Sequence, residues 1–435
     1  MAKTLIRNGR VLDPNAGLDD IRDVLIEDGR IAAVEADLSD VDVEAAETID
    51  AAGLWVVPGF VDMHTHLREP GEEYKEDIAS GGRAAVAGGF TAVACMANTH
   101  PVNDDPAVTK YILDRAAKDS PARVHPIAAA TKGLEGKVMT EMSALVDSGA
   151  VAFSDDGATI VNASVMRAVL EYSLLVDKPV IVHAEDCGLR GEGVVNEGRV
   201  STLIGLPGNP VAAEEIMVAR DLRLAALTGA RLHIAHVSSG GSVELIRAAR
   251  EAGLAVTAEV APHHLTLTEE ATAGYDTNFK MAPPLRTAAD VEALRRGLVD
   301  GVIDAIATDH APHAEHEKDV EFTAAPFGVT GFETALPVCL DLVRKGELTP
   351  LDLVERMSTA PARILGIEGG SLGAGVVADV ALIDPEERWV YDPASGFSKS
   401  RNSPWAGADL QGRVRAVWVD GRRVHVLESG RDPNA

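Results

Sequence analysis

The sequence has little cysteine and far less positive than negative charge. Only three cysteines occur among its 435 residues, so neither a disulfide framework nor a cluster of zinc-binding thiolates is expected. Lys and Arg total 40 against 67 Asp and Glu, which gives a formal net charge of −27. Because so acidic a chain repels phosphate backbones and anionic lipid headgroups, we expect no binding to nucleic acid or to membranes.

Long apolar runs are also missing. No run of about 18 apolar residues is present, and the segment after Met1 lacks the apolar core of a signal peptide. Hydrophobic residues nevertheless make up 46% of the sequence and charged residues 25%, which is typical of a globular protein and excludes a disordered or collagen-like chain. The sequence therefore predicts a globular protein of the cytoplasm.

Both ends of the chain show patterns typical of short β-strands. Near the start, apolar runs are broken by Asn-Gly and Asp-Gly pairs, which favour hairpin turns, and near the end similar runs flank Asp420-Gly421. Neither end has enough apolar residues for a core of its own. We therefore predict one small β-sandwich domain built from residues 1–55 and 368–435.

Between the two ends, strand-like apolar runs alternate with helix-like stretches. Eight such β/α units predict a closed (β/α)8 barrel over residues 56–367. The predicted strands are residues 55–61, 91–96, 123–128, 150–153, 179–182, 232–235, 255–259 and 304–307. The predicted helices are residues 76–87, 107–118, 140–147, 163–176, 211–228, 241–252, 288–299 and 331–344, with one more between Thr349 and Gly366.

The strongest chemical signal is the pair His64 and His66 at the first predicted barrel strand. Because alternate residues of an extended strand point the same way, both imidazoles can reach one metal ion. Further candidate ligands occur at the ends of later predicted strands, namely Asp155, Asp156, His183, His236 and Asp309. Barrel active sites are assembled at the C-terminal ends of the strands, so we predict that these side chains converge.

Imidazole and carboxylate ligands suit zinc. With one of the two neighbouring aspartates counted, the candidates provide six protein ligands. Six ligands exceed the shell of one tetrahedral zinc ion, so they predict two ions that share a bridging ligand. Such a pair generates hydroxide at neutral pH and polarises a carbonyl, which implies hydrolysis of an amide-like bond. On chemistry alone, Asp155 and Asp156 are equal candidates for the bridge.

The ordered set of motifs resembles the dihydroorotase family of the amidohydrolase superfamily. The similarity spans nearly the whole chain. It rests on DMHTHLREPG (62–71), Asn98, FSDDG (153–157), VHAE (182–185), HVS (236–238), PHHL (262–265), PPLR (283–286) and TDHAPH (308–313). The resemblance implies a distorted barrel with a β domain formed by both termini, in agreement with the pattern of elements.

The resemblance also implies a role for each candidate ligand. It assigns His64, His66 and Asp309 to the first zinc ion and His183 and His236 to the second. The bridge is assigned to Asp156, because in one dihydroorotase subtype the Asp directly before Gly is the ligand. Many relatives bridge their metals with a carboxylated lysine instead, but no lysine occurs between Lys137 and Lys178.

Five further residues are expected to bind the substrate. The resemblance places Arg68 as a bidentate partner of the substrate carboxylate, with Asn98 and His313 as additional contacts. The backbone of Phe327 and Gly328 resembles the loop that binds the ring. One departure from the family is Ala282, since an Asn is common before the Pro-Pro-Leu-Arg motif and Ala offers no side-chain hydrogen bond.

The activity implied by the resemblance is the interconversion of N-carbamoyl-L-aspartate and (S)-dihydroorotate plus water, in pyrimidine biosynthesis. Asp309 would serve as the catalytic base and then as the acid. One alternative is another cyclic amidohydrolase, such as an allantoinase or hydantoinase. The other is an inactive dihydroorotase-like scaffold for aspartate transcarbamoylase, although a scaffold is expected to have lost metal ligands. A homodimer and a complex with aspartate transcarbamoylase both stay open.

Overall fold

Two large β-sheets organise the chain. The computed structural model describes residues 3–39 and 46–427. In chain order, its strands are β1 (Lys3–Asp13), β2 (Leu18–Glu27), β3 (Arg30–Glu35), β4 (Ala46–Asp50), β5 (Trp55–Pro58), β6 (Phe60–Thr65), β7 (Phe90–Cys95), β8 (Arg123–Ala128), β9 (Ala152–Ser154), β10 (Val180–Val182), β11 (Val195–Asn196), β12 (Gly208–Asn209), β13 (Leu232–Ile234), β14 (Val256–Val260), β15 (Ala305–Ile306), β16 (Val380–Val390), β17 (Asp409–Val419) and β18 (Arg422–Val426).

Helices follow most of the strands in the middle of the chain. In chain order they are α1 (Ile78–Ala87), α2 (Pro106–Asp119), α3 (Met142–Asp147), α4 (Ala163–Val176), α5 (Cys187–Arg190), α6 (Arg199–Ile204), α7 (Ala212–Thr228), α8 (Gly240–Glu251), α9 (Pro262–Thr266), α10 (Ala288–Val299), α11 (Glu315–Lys318), α12 (Phe332–Arg344), α13 (Pro350–Val354) and α14 (Ala360–Leu365).

Parallel strands form the barrel in the order β6, β7, β8, β9, β10, β13, β14 and β15. A parallel bridge between Thr65 and His310, and a 2.8 Å hydrogen bond from the His66 N–H to the His310 carbonyl, join the two ends of this sheet. The strands are short and largely buried, as expected where helices cover the outside and side chains fill the inside. The predicted (β/α)8 barrel is confirmed.

The second sheet combines strands from both ends of the chain. Its order is β18, β17, β16, β5, β1, β2 and β3, and β4 also pairs with β1. One hydrophobic cluster joins Ile6 and Val24 from the N-terminal part to Val380, Leu382 and Trp418 from the C-terminal part. The two ends therefore share a core in a separate β-sheet domain. The division into a β domain of residues 1–55 and 368–435 and a barrel domain of residues 56–367 stays a prediction.

The first predicted barrel strand, residues 55–61, is wrong as a single strand. It is divided at Gly59 into β5, which pairs with β1 and β16, and β6, which pairs with β7 in the barrel. A side chain at residue 59 would collide with Thr91, so the crossover between the sheets requires glycine. The apolar pattern does not reveal this division, because β5 and β6 are both entirely buried.

Each predicted helix begins and ends within two residues of an observed one. The bounds of α4 and α10 are predicted without error, because their starts carry strong capping signals. The Asn162 side chain accepts hydrogen bonds from the first turn of α4, and Thr287 forms a capping box with Asp290 at the start of α10.

The last predicted helix has a more complex form than expected. Thr349 caps α13 and Gly366 ends α14 in the left-handed conformation, as predicted, but a π-helical turn at Glu355–Thr359 separates the two helices. Across the described parts of the chain, none of the helices combines the length and apolar character that a membrane span requires.

Candidate metal centre and substrate site

His64 and His66 lie at the C-terminal end of β6 and face the same carboxylate. His64 belongs to the strand and His66 follows it, and both side chains are buried. The distance from His64 Nε2 to Asp156 Oδ1 is 3.3 Å, and that from His66 Nε2 to Asp156 Oδ2 is 3.5 Å. Asp156 reaches this position because it lies two residues after β9, on the same end of the barrel.

A second pair of histidines approaches Asp156 from the following strands. His183 directly follows β10 and His236 lies two residues after β13. His183 Nδ1 and His236 Nε2 lie 3.7 Å and 3.5 Å from Asp156 Oδ1, and 3.0 Å from one another. The strand ends therefore bring together all four histidines and the carboxylate of Asp156.

Asp156 is common to two groups of metal-ligand side chains, one with His64 and His66 and one with His183 and His236. Within each group the candidate ligand atoms lie within 4.8 Å of one another. Among the described residues, His64 Nε2 and Asp156 Oδ1 are buried without a hydrogen-bond partner. Unpartnered buried polar atoms are costly, and these are atom types that zinc accepts. The donor set fits two metal ions that share one carboxylate.

Asp309 lies at the edge of this cluster, on the loop after β15. Its Oδ1 is 3.2 Å from His66 Nε2 and 3.6 Å from His64 Nε2. Burial acts to raise the pKa of Asp309, but the hydrogen bond from His66 and the charges on His64 and His236 outweigh it, so the pKa lies well below its usual range. The carboxylate is therefore ionised, which is the form that a metal ligand requires.

The backbone is strained at three of the predicted functional residues. His236, Asp309 and Arg68 have φ values of 32°, 49° and 59°, in the left-handed region that residues other than glycine rarely adopt. Such strain persists where the surrounding structure enforces it, and it concentrates at functional sites. Its presence here agrees with a site whose side-chain directions are set by the fold.

Asp155, the neighbour of Asp156, faces away from the cluster. Its Oδ1 accepts a 2.9 Å hydrogen bond from the Thr131 N–H, and the Thr131 hydroxyl donates to its Oδ2. Burial raises the pKa of Asp155 to about 6, against the effect of these hydrogen bonds. The two neighbouring carboxylates thus occupy different environments, which their sequence alone did not distinguish.

Glu259 supports the metal centre and was missed by the sequence analysis. Its Oε1 accepts a 2.6 Å hydrogen bond from His64 Nδ1, which leaves Nε2 of that ring free to face the cluster. Its Oε2 lies 3.2 Å from His233 Nε2, and His233 Nδ1 contacts the Thr257 hydroxyl at 2.8 Å. An acidic residue inside the largely buried strand β14 is a sequence signal that could have marked Glu259 as unusual, although it does not reveal its partner.

Arg68 is a buried cation on the loop that follows β6. Its side chain donates to the Pro312 carbonyl at 3.2 Å and lies 3.4 Å from His313 Nε2. Among the residues that the structure describes, no carboxylate lies within 4.0 Å of its guanidinium. Burial lowers the pKa of Arg68, although distant carboxylates act in the opposite direction. A desolvated guanidinium in this position is suited to an incoming anion.

Of the other predicted substrate contacts, His313 lies beside Arg68 and contacts Phe327, whereas Asn98 contacts His66. Asn98 Oδ1 accepts a 2.9 Å hydrogen bond from His66 Nδ1, so this amide orients a candidate metal ligand. His313 Nε2 donates to the Phe327 carbonyl at 2.7 Å. Gly328 has a φ of 129°, and a Cβ there would lie 2.6 Å from the Cβ of Ala311, so this turn requires glycine.

Two buried lysines, which the sequence analysis did not identify as functional, hold the loop that carries Phe327. Lys280 Nζ donates to the carbonyls of Phe322 and Thr323 at 2.7 Å and 3.0 Å. Lys318 Nζ donates to the Pro326 carbonyl at 2.9 Å. Burial lowers the pKa of Lys280 to about 8 and that of Lys318 to about 7.

Comparison with known proteins agrees with this geometry. Residues 55–424 match the amidohydrolase family. The chain is 54% identical to a dihydroorotase from Syntrophotalea carbinolica, over 98% of this chain and 99% of that protein. It is 53% identical to a dihydroorotase from Anaeromyxobacter dehalogenans, over 97% of each chain.

Solved structures of related enzymes share the fold. An L-hydantoinase (dihydropyrimidinase) from Arthrobacter aurescens has a TM-score of 0.88 and 27% sequence identity, with 98% of each chain covered. A dihydropyrimidinase from Brevibacillus agri has a TM-score of 0.84 and 25% identity, over 97% of this chain and 95% of that one. The barrel, the β-sheet domain and the sequence relatives lead to one conclusion: the chain belongs to the amidohydrolase family and, within it, to the dihydroorotases.

Proposed function

We propose that the chain interconverts N-carbamoyl-L-aspartate and (S)-dihydroorotate plus water. The observation that carries this proposal is the combination of the cluster around Asp156 with the buried guanidinium of Arg68, which has no carboxylate partner in the described part of the chain. The cluster suits hydrolysis of a cyclic amide. The guanidinium suits the carboxylate that distinguishes dihydroorotate from neutral cyclic amides.

The metal component of the proposal is two zinc ions for each chain. The residues that would hold them are His64, His66, Asp156, His183, His236 and Asp309. When bound, two zinc ions would lower the pKa of a water molecule and polarise the scissile carbonyl. Hydrogen bonds to Glu259 and Asn98 orient the rings of His64 and His66, so that Nε2 of each faces the cluster.

Asp309 is the proton carrier in the proposed reaction. In the hydrolytic direction its carboxylate accepts a proton from the attacking water and then delivers it to the ring nitrogen as the amide bond breaks. Ring closure uses the same group in the reverse order. This role is supported by the position of Asp309 at the edge of the cluster, with its Oδ1 3.2 Å from His66 Nε2.

The substrate carboxylate is assigned to the guanidinium of Arg68. The guanidinium provides paired donors, and burial strengthens each charged contact because water does not compete. Asn98, His313 and the backbone of Phe327 and Gly328 complete the proposed contacts. A neutral cyclic amide leaves the guanidinium desolvated without a partner, so it is expected to bind poorly.

The proposal is tested by turnover assays on zinc-loaded protein with measured metal content. We expect turnover of dihydroorotate, with dihydrouracil, hydantoin and allantoin slower by about a hundredfold or more, and about two zinc ions for each chain. Activity should not depend on bicarbonate, because no lysine needs to be carboxylated. Faster turnover of hydantoin or allantoin would overturn the substrate assignment, and fully loaded but inactive protein would favour the scaffold alternative.

The proposal extends to assembly and location. A homodimer, a complex with aspartate transcarbamoylase and a cytoplasmic location remain predictions. Size-exclusion chromatography of the chain alone, and of its mixture with aspartate transcarbamoylase, measures the first two. Fractionation of cells that express the chain measures the third.

A further inference from the structure

A segment from the C-terminal part of the chain reaches the substrate loops. Residues 398–403, which we name the bridging segment, lie between β16 and β17 of the β-sheet domain. On one side, the Ser400 hydroxyl donates to the Lys75 carbonyl at 2.7 Å, in the loop that follows Arg68. On the other side, Asn402 contacts the loops after β15. The bridging segment thus joins loops from opposite ends of the barrel sequence.

The Asn402 side chain directs both of its N–H donors and its oxygen at these loops. Its Nδ2 donates to the carbonyls of Ala311 and Gly328, both at 3.0 Å, and its Oδ1 accepts from the His313 N–H at 3.1 Å. The residue is only 4% exposed. A buried amide that satisfies two carbonyls and one N–H fixes the distance between the two chain segments that carry them.

The backbone around Asn402 extends the same connection. The Ala311 N–H donates to the Val329 carbonyl at 2.8 Å, and the Thr330 N–H donates to the Asn402 carbonyl at 2.9 Å. Asn402 therefore lies beside a short pairing of two segments, one leading to His313 and the other following Gly328. The Asn402 side chain bonds to backbone groups of both segments, as a neighbouring strand would.

The bridging segment does not depend on Asn402 for its own anchorage. Trp405, three residues later, is buried in a hydrophobic cluster with Val338, Tyr391 and Leu410. Ser400 is attached separately to the loop after Arg68. The three side-chain contacts of Asn402 instead all go to residues at or beside the proposed substrate contacts.

We propose that Asn402 is a positioning residue for the substrate carboxylate. It holds the His313 and Gly328 segments at the separation that the carboxylate and ring require, opposite Arg68. This inference rests on the proposed dihydroorotase function. Asn402 is not among the residues predicted from the sequence, and it lies 89 residues from His313 and 74 from Gly328 in the chain.

Steady-state kinetics of two variants test the proposal. Asn402→Ala removes all three side-chain hydrogen bonds. Asn402→Asp keeps the acceptor for His313 but directs an anionic oxygen at two carbonyls. We expect both variants to raise KM for dihydroorotate about tenfold, with kcat within about threefold and zinc content unchanged. Asn15→Ala, at an exposed amide of the β-sheet domain, is the matched control.

Selectivity separates positioning from general destabilisation. The slow turnover of dihydrouracil, which lacks the carboxylate, should be unchanged in both variants. Equal losses with dihydroorotate and dihydrouracil would overturn the proposal, as would an unchanged KM in both variants.

Hydrogen exchange provides a readout that does not need catalysis. The His313 amide should exchange faster in Asn402→Ala than in the parent, but not in Asn402→Asp, where its acceptor remains. The Thr330 amide should stay protected in both, because its acceptor is the residue 402 carbonyl. If the parent does not turn over dihydroorotate, the proposed function fails while this exchange pattern still tests the geometry. An unaltered His313 amide in Asn402→Ala would overturn the inference.

Discussion

The metal centre and the carboxylate site share one end of the barrel but are built differently. Candidate metal ligands lie on barrel strands or within a few residues of them: His64 is part of β6, and His183 directly follows β10. Arg68 likewise lies three residues after β6, but His313 and Gly328 lie farther along the loop that follows β15. The loop residues keep their places through contacts with one another and with Asn402, which belongs to the β-sheet domain side of the chain.

This difference separates the chemistry from substrate selection. Side chains on barrel strands, or within a few residues of them, are held close to paired backbone, so they stay in place when a more distant part of a loop changes. Loops depend on a few side-chain hydrogen bonds, each worth only about 1 kcal/mol. We therefore expect changes at the metal centre to affect every substrate, and changes at the loops to affect substrates with a carboxylate selectively.

The largest effect is expected for Asp309→Asn. The amide oxygen can still face the cluster, but it cannot accept and return a proton, so turnover should fall about 10²- to 10⁴-fold in both reaction directions. Steady-state rates for dihydroorotate hydrolysis and for its formation, on protein with measured zinc content, check this. Asp177→Asn, at a fully exposed carboxylate, is the control. Activity within about threefold of the parent would contradict the assigned role.

A smaller and selective effect is expected for Arg68→Met. Methionine has similar bulk but removes the charge and the paired donors, so kcat/KM for dihydroorotate should fall about tenfold to a hundredfold. Dihydrouracil, which has no carboxylate, should start slow and change little. Arg199→Met, at an exposed side chain, is the control. Equal losses with both compounds would mean that Arg68 supports the metal centre instead.

The contrast also explains what the sequence could predict. The alternation of His64 and His66 within a strand sets their common direction, and the strand ends place His183, His236 and Asp309 on the same face. These are local rules, because each residue is read relative to its own strand. The barrel and the convergence of the predicted ligands followed from them.

The features that the sequence did not reveal depend on contacts between remote segments. Glu259 meets His64 across 195 residues, and Asn402 meets Ala311 across 91. The division at Gly59 was hidden because the strands on both sides of it are equally apolar and buried. Pattern and propensity describe neighbours along the chain, so they carry no signal for such pairings.

An effect of about tenfold on metal affinity is expected for Glu259→Gln. Burial acts to raise the pKa of Glu259, but the charges and hydrogen bonds of His64 and His233 bring it down to about 2, so the carboxylate is a strong acceptor for His64. A glutamine offers a weaker acceptor and can present its donor to the same ring. Competition with a chelator measures zinc affinity, and Glu251→Gln, at an exposed position of α8, is the control. Unchanged affinity would exclude the supporting role.

The smallest effect concerns Lys280 and Lys318, which hold the loop that carries Phe327. It is expected in the free energy of unfolding rather than in activity. Burial lowers the pKa of Lys280 to about 8 and that of Lys318 to about 7, whereas an unfolded lysine titrates near 10.4. Between these values the unfolded chain binds more protons than the folded chain. As the pH rises towards about 10, Lys318 should therefore add stability from about pH 7 and Lys280 from about pH 8, each by at most about 1.4 kcal/mol for each pH unit.

Denaturant unfolding of the zinc-loaded parent and of Lys280→Met, at several pH values from 7 to about 9.5, measures this slope. Methionine leaves the Phe322 and Thr323 carbonyls without their donor at every pH, so that loss is constant, and only the slope reports the titration. The variant should gain less stability with pH than the parent. Lys137→Met, at an exposed side chain, should keep the parental slope. Identical slopes for the parent and Lys280→Met would show that Lys280 stays charged in the folded loop.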